Sequence, residues 1–594
     1  LKNKFDDYIL SFTTSLIPFI EHDDAIRCQM ASNHLRQSIN IKDNELPYIM
    51  TGFEDIKQFQ KYNRINNNFY CLAKRDGIVI EKNDEHMIVH YDNNDFDIFK
   101  KKCSNTFIKS DRFNKGELLV CDKSVKNGFI NNGINLLTGI MPYYGYNYQD
   151  AITVSSRLKD KLASYHDEEI SIQISKDNII VASPILFDNV KVINKGDSFL
   201  DIKKINKYNL SDLFGQSQTI ISDKKYKINY INIYANYFNM YNRETEAKLL
   251  KFLKQKEKMK RELIIKNKEY VDEEMLKKYI YYSGLEIKKY IKRYKISNNK
   301  TFDGIMINIG VTYKKTLEIG DKIANRHGNK GIISLQQDDD KMLKTKDGRI
   351  FDIIINPLGI ISRMNIGQIY ELHAGYTVYN MRKKLNKLLE ENKKEEIKEN
   401  MLEYISTFDN TPNNWYTEQT KLQLKNENID KKMIDNFYLL ATPFTTNHIK
   451  LDNLMKLTNT PYEEEVYDPI DKTYKQIAVG YMYWFKLYHL VSEKTSARSI
   501  GKYKKKTHQP VKGRTQKGGQ RFGEMEVWDL VAYDMEKNIK EFLSLKSDNF
   551  IEKYNFLNKI INEEPFELDK TTNSTETYNV FSNYMKALGL KIIK

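Results

Sequence analysis

The stretch GDKIANRHGNKGIIS, Gly320 to Ser334, packs three glycines, two lysines, one arginine and one histidine into a run too irregular to be a helix. Gly320, Gly328 and Gly331 let the backbone adopt positive φ and approach a ligand closely, while Lys322, Arg326 and Lys330 bring cations to the same place. Main-chain N–H groups in such a loop also bind anions, so the residues read as a phosphate-holding loop. The spacing is neither a Walker A loop nor a dinucleotide fingerprint, and the common nucleotide folds are not indicated. Taken alone, a basic glycine loop has an ordinary alternative as a solvated turn.

Four further stretches accompany it: SLIPFIEHDDAIRCQMASNHLRQS (Ser15 to Ser38), MPYYGYNYQDAI (Met141 to Ile152), DIIINPLGIISRMNIGQI (Asp352 to Ile369), and VGYMYWFKLYHLV through GGQRFGEMEVWDL (Val479 to Leu530). With the glycine loop, in this order, they resemble the later part of the second-largest, or β, subunit of bacterial and plastid RNA polymerase. The resemblance covers nearly the whole chain. It is closest to an A+T-rich, relict-plastid (apicoplast-like) version of that subunit.

Composition agrees with a polyanionic partner: Lys+Arg 94 against Asp+Glu 79 gives a formal charge of +15. Only 16 of the 94 cations are arginine, which with abundant Asn, Ile and Tyr reads as pressure from an A+T-rich genome. Arginines that survive are then informative, because lysine replaces a point charge but not a planar fork. Arg27, Arg36, Arg326, Arg363, Arg498 and Arg521 all fall inside the matched stretches. Half of the 26 glycines lie between 320 and 375 or between 480 and 523. The four cysteines form no CxxC and are read as reduced, without a zinc site. No apolar run is long enough for a membrane span. The start at Leu1, with no signal-peptide pattern, is read as a truncated or processed product.

Along the chain, Asp23 or Asp24 caps a helix that turns Ile26, Met30 and Leu35 inward and carries Asn33, Arg36 and Gln37 on one flank. Residues 45–130 alternate as hairpins, with DNNDFD (Asp92 to Asp97) as a turn rather than a metal cluster. Asp150 stands at the mouth of a strand. Long exposed helices are expected over 244–300. Gly304 to Tyr313 is strand-like, and a helix beginning at Ser362 holds Arg363 in its first turn, where an anion is favoured, with Ile366, Ile369 and Tyr370 facing in. Pairing of Arg363 with Glu371 or a neighbouring carboxylate is the structural alternative. Lysines, arginines and glycines from Lys486 to Gly523 form a basic strip suited to phosphate contacts without base reading, followed by a helix anchored by Met525, Val527, Trp528 and Leu530.

The resemblance implies a mixed α/β multidomain chain: a double-psi β-barrel core with an inserted flap and C-terminal clamp helices. Barrel strands are expected from roughly 105–165 and 300–365. The expected division is a nucleotide- and RNA-contacting helix segment at 1–44, hairpins and the first part of the barrel at 45–165, flap and helical insertion at 166–300, and the second part of the barrel at 301–375. A variable insertion at 376–478 and a hybrid-binding strip with clamp helices at 479–594 follow. The implied reaction is nucleotidyl transfer from NTPs during transcription. Lys322, Lys330, Arg363 and Arg27 are the implied charge-neutralising residues, with Asn33, Arg36, Gln37, Asp150, Arg326, Ser362, Arg498 and Arg521 as NTP or RNA contacts. Mg2+ is expected mainly on the partner, with Asp150 at most an outer-shell group, because Gln149 and Asp150 stand where the family has Glu-Asp. Ile26 and Ser496 also depart from the family, which has Asn and His there. The implied partners are the largest, β′-like subunit or its split parts, α-like subunits, a sigma-like initiation factor, DNA template and RNA. The expected location is a plastid, with a bacterial cytoplasm as the alternative. A non-catalytic organellar RNA-binding protein and a self-contained phosphotransferase are the competing classes; the latter needs a carboxylate metal cage that the sequence does not present.

Overall fold

A computed structural model describes residues 10–54, 70–204 and 217–235, apart from short breaks at 83–85, 93–94, 101–104, 109, 127, 175–177 and 188–189. It further describes scattered positions between 251 and 262, then 305–408, 431–444, 451–565 without 500 and 506, and 575–593. Most of the helical stretch expected over 244–300 lies outside the described residues. The chain divides into two compact units, Leu1–Leu490 and Val491–Lys594.

The first unit is organised by a closed six-stranded barrel. Its strands are β1 (Ile134–Ile140), β2 (Ala151–Ser155), β3 (Lys322–Asn325), β4 (Lys330–Gln337), β5 (Ile353–Ile355) and β6 (Thr473–Lys486). They follow one another in space as β1, β5, β2, β4, β3 and β6, and antiparallel pairing of Ile134–Ile140 with Ala478–Trp484 closes the ring. β1–β5 and β2–β4 are parallel; the other neighbours are antiparallel. The inward positions of these strands, many of them β-branched, bury Ile134, Leu136, Ile152, Val154, Ile323, Ile333, Ile353, Met482 and Trp484 in one cluster.

The barrel differs from the expected one in two respects. β6 supplies a wall: the stretch 476–483 reads as strand-like in sequence, but the expected barrel takes no strand from there. Conversely, Ile305–Lys315 pairs with Ser164–Ile174 and Tyr226–Ala235 in a separate four-stranded sheet. That sheet and a three-stranded one (Asn178–Ala182, Ser198–Lys204, Ser217–Ile221) share a core of Ile172, Ile180, Phe199, Ile307 and Val311. Alternation makes a strand visible in sequence but does not name its neighbour. The hairpins read over 45–130 are present, in a three-stranded and a four-stranded sheet, and Asp92 follows a strand that turns back antiparallel as Phe96–Lys100. Strand Asn105–Phe107 belongs there and not to the barrel.

Three helices matter to the site: α1 (Ala25–Arg36), α2 (Leu358–Arg363) and α3 (Gly367–Glu390). α3 continues beyond the boundary expected at 375 and packs with α4 (Lys394–Phe408), burying Val378, Met381, Leu385, Ile397, Met401 and Tyr404 with Phe19 and Met50. The stretch read as a surface insertion therefore completes a core. No described helix is long and apolar enough to cross a membrane.

The second unit carries a short helix at Val491–Lys494 and longer ones at Glu524–Ala532, Glu536–Leu543, Phe550–Ile561 and Glu576–Ala587. Met525 and Trp528 are exposed there (70% and 58%), so they do not anchor the first of the longer helices within its own unit.

Candidate functional site

The β3–β4 hairpin places the two lysines of the quoted stretch. Lys322 lies opposite Ile332 and Ala324 opposite Lys330, so Lys322 and Lys330 share one face as diagonal neighbours while Ile323 and Ile333 point into the core. Between the strands, the side-chain oxygen of Asn325 accepts from the N–H groups of His327 (3.0 Å) and Asn329 (3.1 Å), which folds the loop tightly. At the loop tip Gly328 has φ +73° and lies so close to α1 that a Cβ there would be 2.5 Å from the Arg27 carbonyl oxygen. Only glycine meets both conditions without strain.

α1 is capped by Asp24, whose carboxylate accepts from Ile26 N at 3.1 Å. The inward face differs from the expected one: Ile26 and Met30 are 61% and 40% exposed, while Cys28, Ala31, Ser32, His34 and Leu35 are buried. Exposing Ile26 and Met30 leaves Arg27 between them on the open side, with its guanidinium donating to Met30 Sδ. Asn33 and Arg36 are exposed on the same helix, and Gln37 Oε1 lies 2.9 Å from His489 Nε2.

The α2 geometry corrects the expected helix. α2 begins after Pro357 and ends at Met364 in a left-handed conformation, so Arg363 sits in the last turn of a six-residue helix and not in the first turn of α3. Ile366, expected inside, is 50% exposed. The anion preference of a helix N-terminus thus contributes nothing at Arg363, and its charge acts alone. Its guanidinium is held by Asp150, the neighbouring carboxylate at the entry to β2, and Glu371 has other partners. Ser362 is exposed beside it.

Electrostatic coupling ties these groups into one neighbourhood. Burial and then Arg363 push the Arg27 pKa down, opposed by Asp150 and Asp24. Burial, followed by Lys330, Arg27 and His489, lowers His34 to about 4 and keeps it neutral, with no hydrogen-bond partner for Nδ1 among the described residues. Arg27, Lys330 and Arg363, with Lys322 diagonal to Lys330, thus form one cationic neighbourhood that the carboxylates of Asp150 and Asp24 partly offset.

Arg326, expected among the NTP or RNA contacts, is turned inward and is corrected to a supporting role. It is 2% exposed, donates to Glu371 at 2.6 Å and lies over the Tyr483 ring at 5.1 Å. Its neighbour His327 is also buried, with Nδ1 2.6 Å from Asp23 and Nε2 2.6 Å from Glu371. Burial alone would lower the His327 pKa, but the two carboxylates outweigh it and raise it to about 9. For Glu371, burial opposes ionisation, yet Arg326 and His327 hold it down at about 2. Asp23 also accepts from Gly367 N at 2.8 Å, supplying a partner for the opening turn of α3. The sequence contained all of these residues but not their pairing, since His327 lies 304 positions from Asp23 and 44 from Glu371.

No group of three or more His, Cys, Asp or Glu among the described residues could hold a metal ion. Asp150 is a lone carboxylate already engaged by Arg363, and Gln149 beside it is an amide, so these residues do not form a first shell for magnesium.

In the second unit Arg498 donates to the carbonyls of Lys517 and Lys502 and lies over the Tyr503 ring at 5.0 Å, bracing the strip from within. Gln520 Nε2 donates to Ser496 at 3.1 Å. Lys502, Lys504, Lys505, Lys512, Arg514, Lys517 and Arg521 are exposed.

Comparison with known proteins divides the chain at a different point from the two compact units. The family described as RNA polymerase Rpb2, domain 6, matches residues 13–516, and RNA polymerase Rpb2, domain 7, matches 518–593. Among similar proteins, the DNA-directed RNA polymerase subunit beta of Mycoplasmopsis synoviae is 29% identical over 98% of this chain and 43% of its own length. That of Neorickettsia sennetsu is 28% identical over 98% of this chain and 50% of its own. That of Mycoplasmoides gallisepticum is 31% identical over 91% and 40%. The chain spans half or less of the length of these curated relatives.

Proposed function

We propose, from the premise that this chain belongs to the RNA polymerase Rpb2 family, that it forms the C-terminal part of the second-largest subunit of a DNA-directed RNA polymerase and binds the growing RNA end and the incoming NTP. The observation that carries the reading is the shared neighbourhood of Arg27, Lys330 and Arg363: Arg27 and Lys330 both act on His34, Arg363 acts on Arg27, and Asp150 pairs with Arg363. In nucleotidyl transfer the RNA 3′-hydroxyl attacks the α-phosphate in line and pyrophosphate leaves. Little covalent work falls to the protein, so positioning and charge neutralisation dominate. Arg27 and Arg363 suit the triphosphate, and Lys322 and Lys330 suit the RNA terminus. Asn33, Arg36 and Gln37 extend the same side, and the exposed cations of the second unit, Arg521 among them, provide a track for phosphates of the RNA–DNA hybrid.

Asp150 is a placeholder anion for Arg363, which the triphosphate displaces on binding. Magnesium would be held mainly by the largest, β′-like subunit and would supply further charge neutralisation at the phosphates, which the cations of this chain complement. The closed barrel is consistent with a double-psi arrangement, and the two sheets spanning Ser164–Ala235 and Ile305–Lys315 correspond to the flap. The proposed assembly also contains α-like subunits, a sigma-like factor and DNA template. Scarce arginine supports an A+T-rich genome, that of a plastid or a small bacterium.

The test is Arg363→Ala in polymerase assembled with this chain. Each charge-assisted contact contributes about 1.5–3 kcal/mol, so the KM for NTP rises roughly 10- to 150-fold with assembly unaffected. An unchanged KM for NTP in the assembled enzyme refutes the assignment.

A further inference from the structure

Three structural segments that present the cations of the site are joined through one buried imidazole. His327 Nδ1 meets Asp23, just ahead of α1 and Arg27, and His327 Nε2 meets Glu371 of α3, both at 2.6 Å, with the three side chains 0–2% exposed. The His327 carbonyl accepts from Asn365 at 3.1 Å, fixing the turn that follows Arg363. The other Asp23 oxygen takes Gly367 N at 2.8 Å, and the other Glu371 oxygen takes Arg326 at 2.6 Å and Tyr483 N at 3.1 Å. A neutral imidazole has one N–H and one lone pair, so it can satisfy only one ionised carboxylate at this distance; two require the imidazolium.

We propose that His327 is a positioning residue, carrying at neutral pH a positive charge that holds Arg27, Lys330 and Arg363 in register for the substrate phosphates. The inference rests on the functional reading above, because it assigns His327 the job of presenting those cations. His327 touches no substrate: it is buried beneath them, one residue from the glycine that rests on the Arg27 backbone. Five ionisable groups surround it. Asp23 faces it from the segment before α1, Glu371 from α3, and Arg326 from its own loop. One step further, Glu54 lies 4.0 Å from Arg326, and Tyr483 of β6 lies beneath the Arg326 guanidinium. Burial raises the pKa of both Glu54 and Tyr483, opposed at Glu54 by the Thr51 and Gly52 N–H groups and by Arg326. Around the ring itself Asp23 and Glu371 face His327 directly, and loss of the His327 proton leaves a lone pair aimed at an anion.

Two measurements test this. In the ¹⁵N-histidine-labelled full chain, both His327 ring nitrogens are expected to be protonated at pH 7.5, with the signals identified by their loss in His327→Gln; a neutral ring at that pH overturns the proposal. In the assembled polymerase, His327→Gln is expected to raise the KM for NTP roughly 10- to 100-fold while kcat at saturating NTP stays within about twofold, because misplaced cations weaken capture first. The wild-type KM is expected to climb toward that of the variant as pH rises from 7.5 to 9.5, and the variant's KM to stay flat. An unchanged KM, or equal pH profiles, overturns it. Arg363→Ala separates the two readings: if it too leaves KM unchanged, the functional assignment has failed, whereas a normal Arg363→Ala defect beside a silent His327→Gln removes only the role of His327.

Discussion

Replacing Gly328 by alanine isolates the contact on which the spacing of the cations depends. Gly328 sits at φ +73°, and its added methyl would stand 2.5 Å from the Arg27 carbonyl oxygen and 3.2 Å from the carbonyl carbon. The left-handed backbone costs an L-residue about 1–2 kcal/mol. Forcing a methyl into a filled contact adds roughly 1–3 kcal/mol, since the opposing atoms are helix backbone and cannot rotate away. Gly348 is the matched control: its φ is +77°, but nothing lies within 4 Å of the place its methyl would take, so Gly348→Ala carries the backbone term alone. Urea unfolding followed by tryptophan fluorescence, with Trp484 buried in the barrel core as reporter, should show Gly328→Ala less stable than Gly348→Ala by roughly 1–3 kcal/mol. In the assembled enzyme only Gly328→Ala should raise the KM for NTP, by roughly tenfold or more, because Arg27 moves with its helix. Equal stabilities and equal KM values for the two variants would falsify the close docking of the loop on α1.

Three further outcomes are expected. His327, raised from 6.5 to about 9, stabilises fully below pH 6.5 and loses that contribution as pH climbs through 9; Glu371, lowered from 4.5 to about 2, contributes fully above pH 4.5 and loses it as pH falls through 2. Stability should therefore plateau between about pH 4.5 and 6.5 and fall by about 3 kcal/mol on the alkaline side, an arm that denaturation curves of His327→Gln should lack. Lys486 and Asp321 are fully buried 3.4 Å apart, so Lys486→Met should destabilise by about 3–5 kcal/mol in denaturant melts, and Lys486→Met with Asp321→Asn should recover much of it; additive losses would contradict a buried pair. Burial, with Asp23 and Asp24, raises the Cys28 thiol to about 12, so mass spectrometry should find it unmodified by iodoacetamide at pH 8 until the chain is unfolded.

How much is legible depends on the range of the interaction. The cap at Asp24, the strand after Asp150, the hairpins before residue 130 and the cationic loop are local patterns, set by side chains within a few positions, and they stand out directly. The end of α2 does not, because NPLGIISRMNIGQ carries no helix-breaking residue between Ser362 and Gly367. Met364 turns left-handed while Asp23, over 300 residues upstream, holds the next helix by Gly367 N. Arg326 misleads for a similar reason: cations flanking a glycine loop look alike until burial separates them. Lys330 lies on the open face of a strand, whereas Arg326 enters a pocket prepared by Glu371 and Tyr483.

The order of residues was enough to establish the family, the positive charge, and which residue types meet phosphate, because fixed spacing and residue chemistry are properties of the chain. Folding in three dimensions settled which cations face outward, that β6 closes the barrel, and that His327 is buried between Asp23 and Glu371. Those outcomes depend on burial and on hydrogen-bond partners brought together from distant positions, and a buried charge persists only where such partners have already been assembled around it.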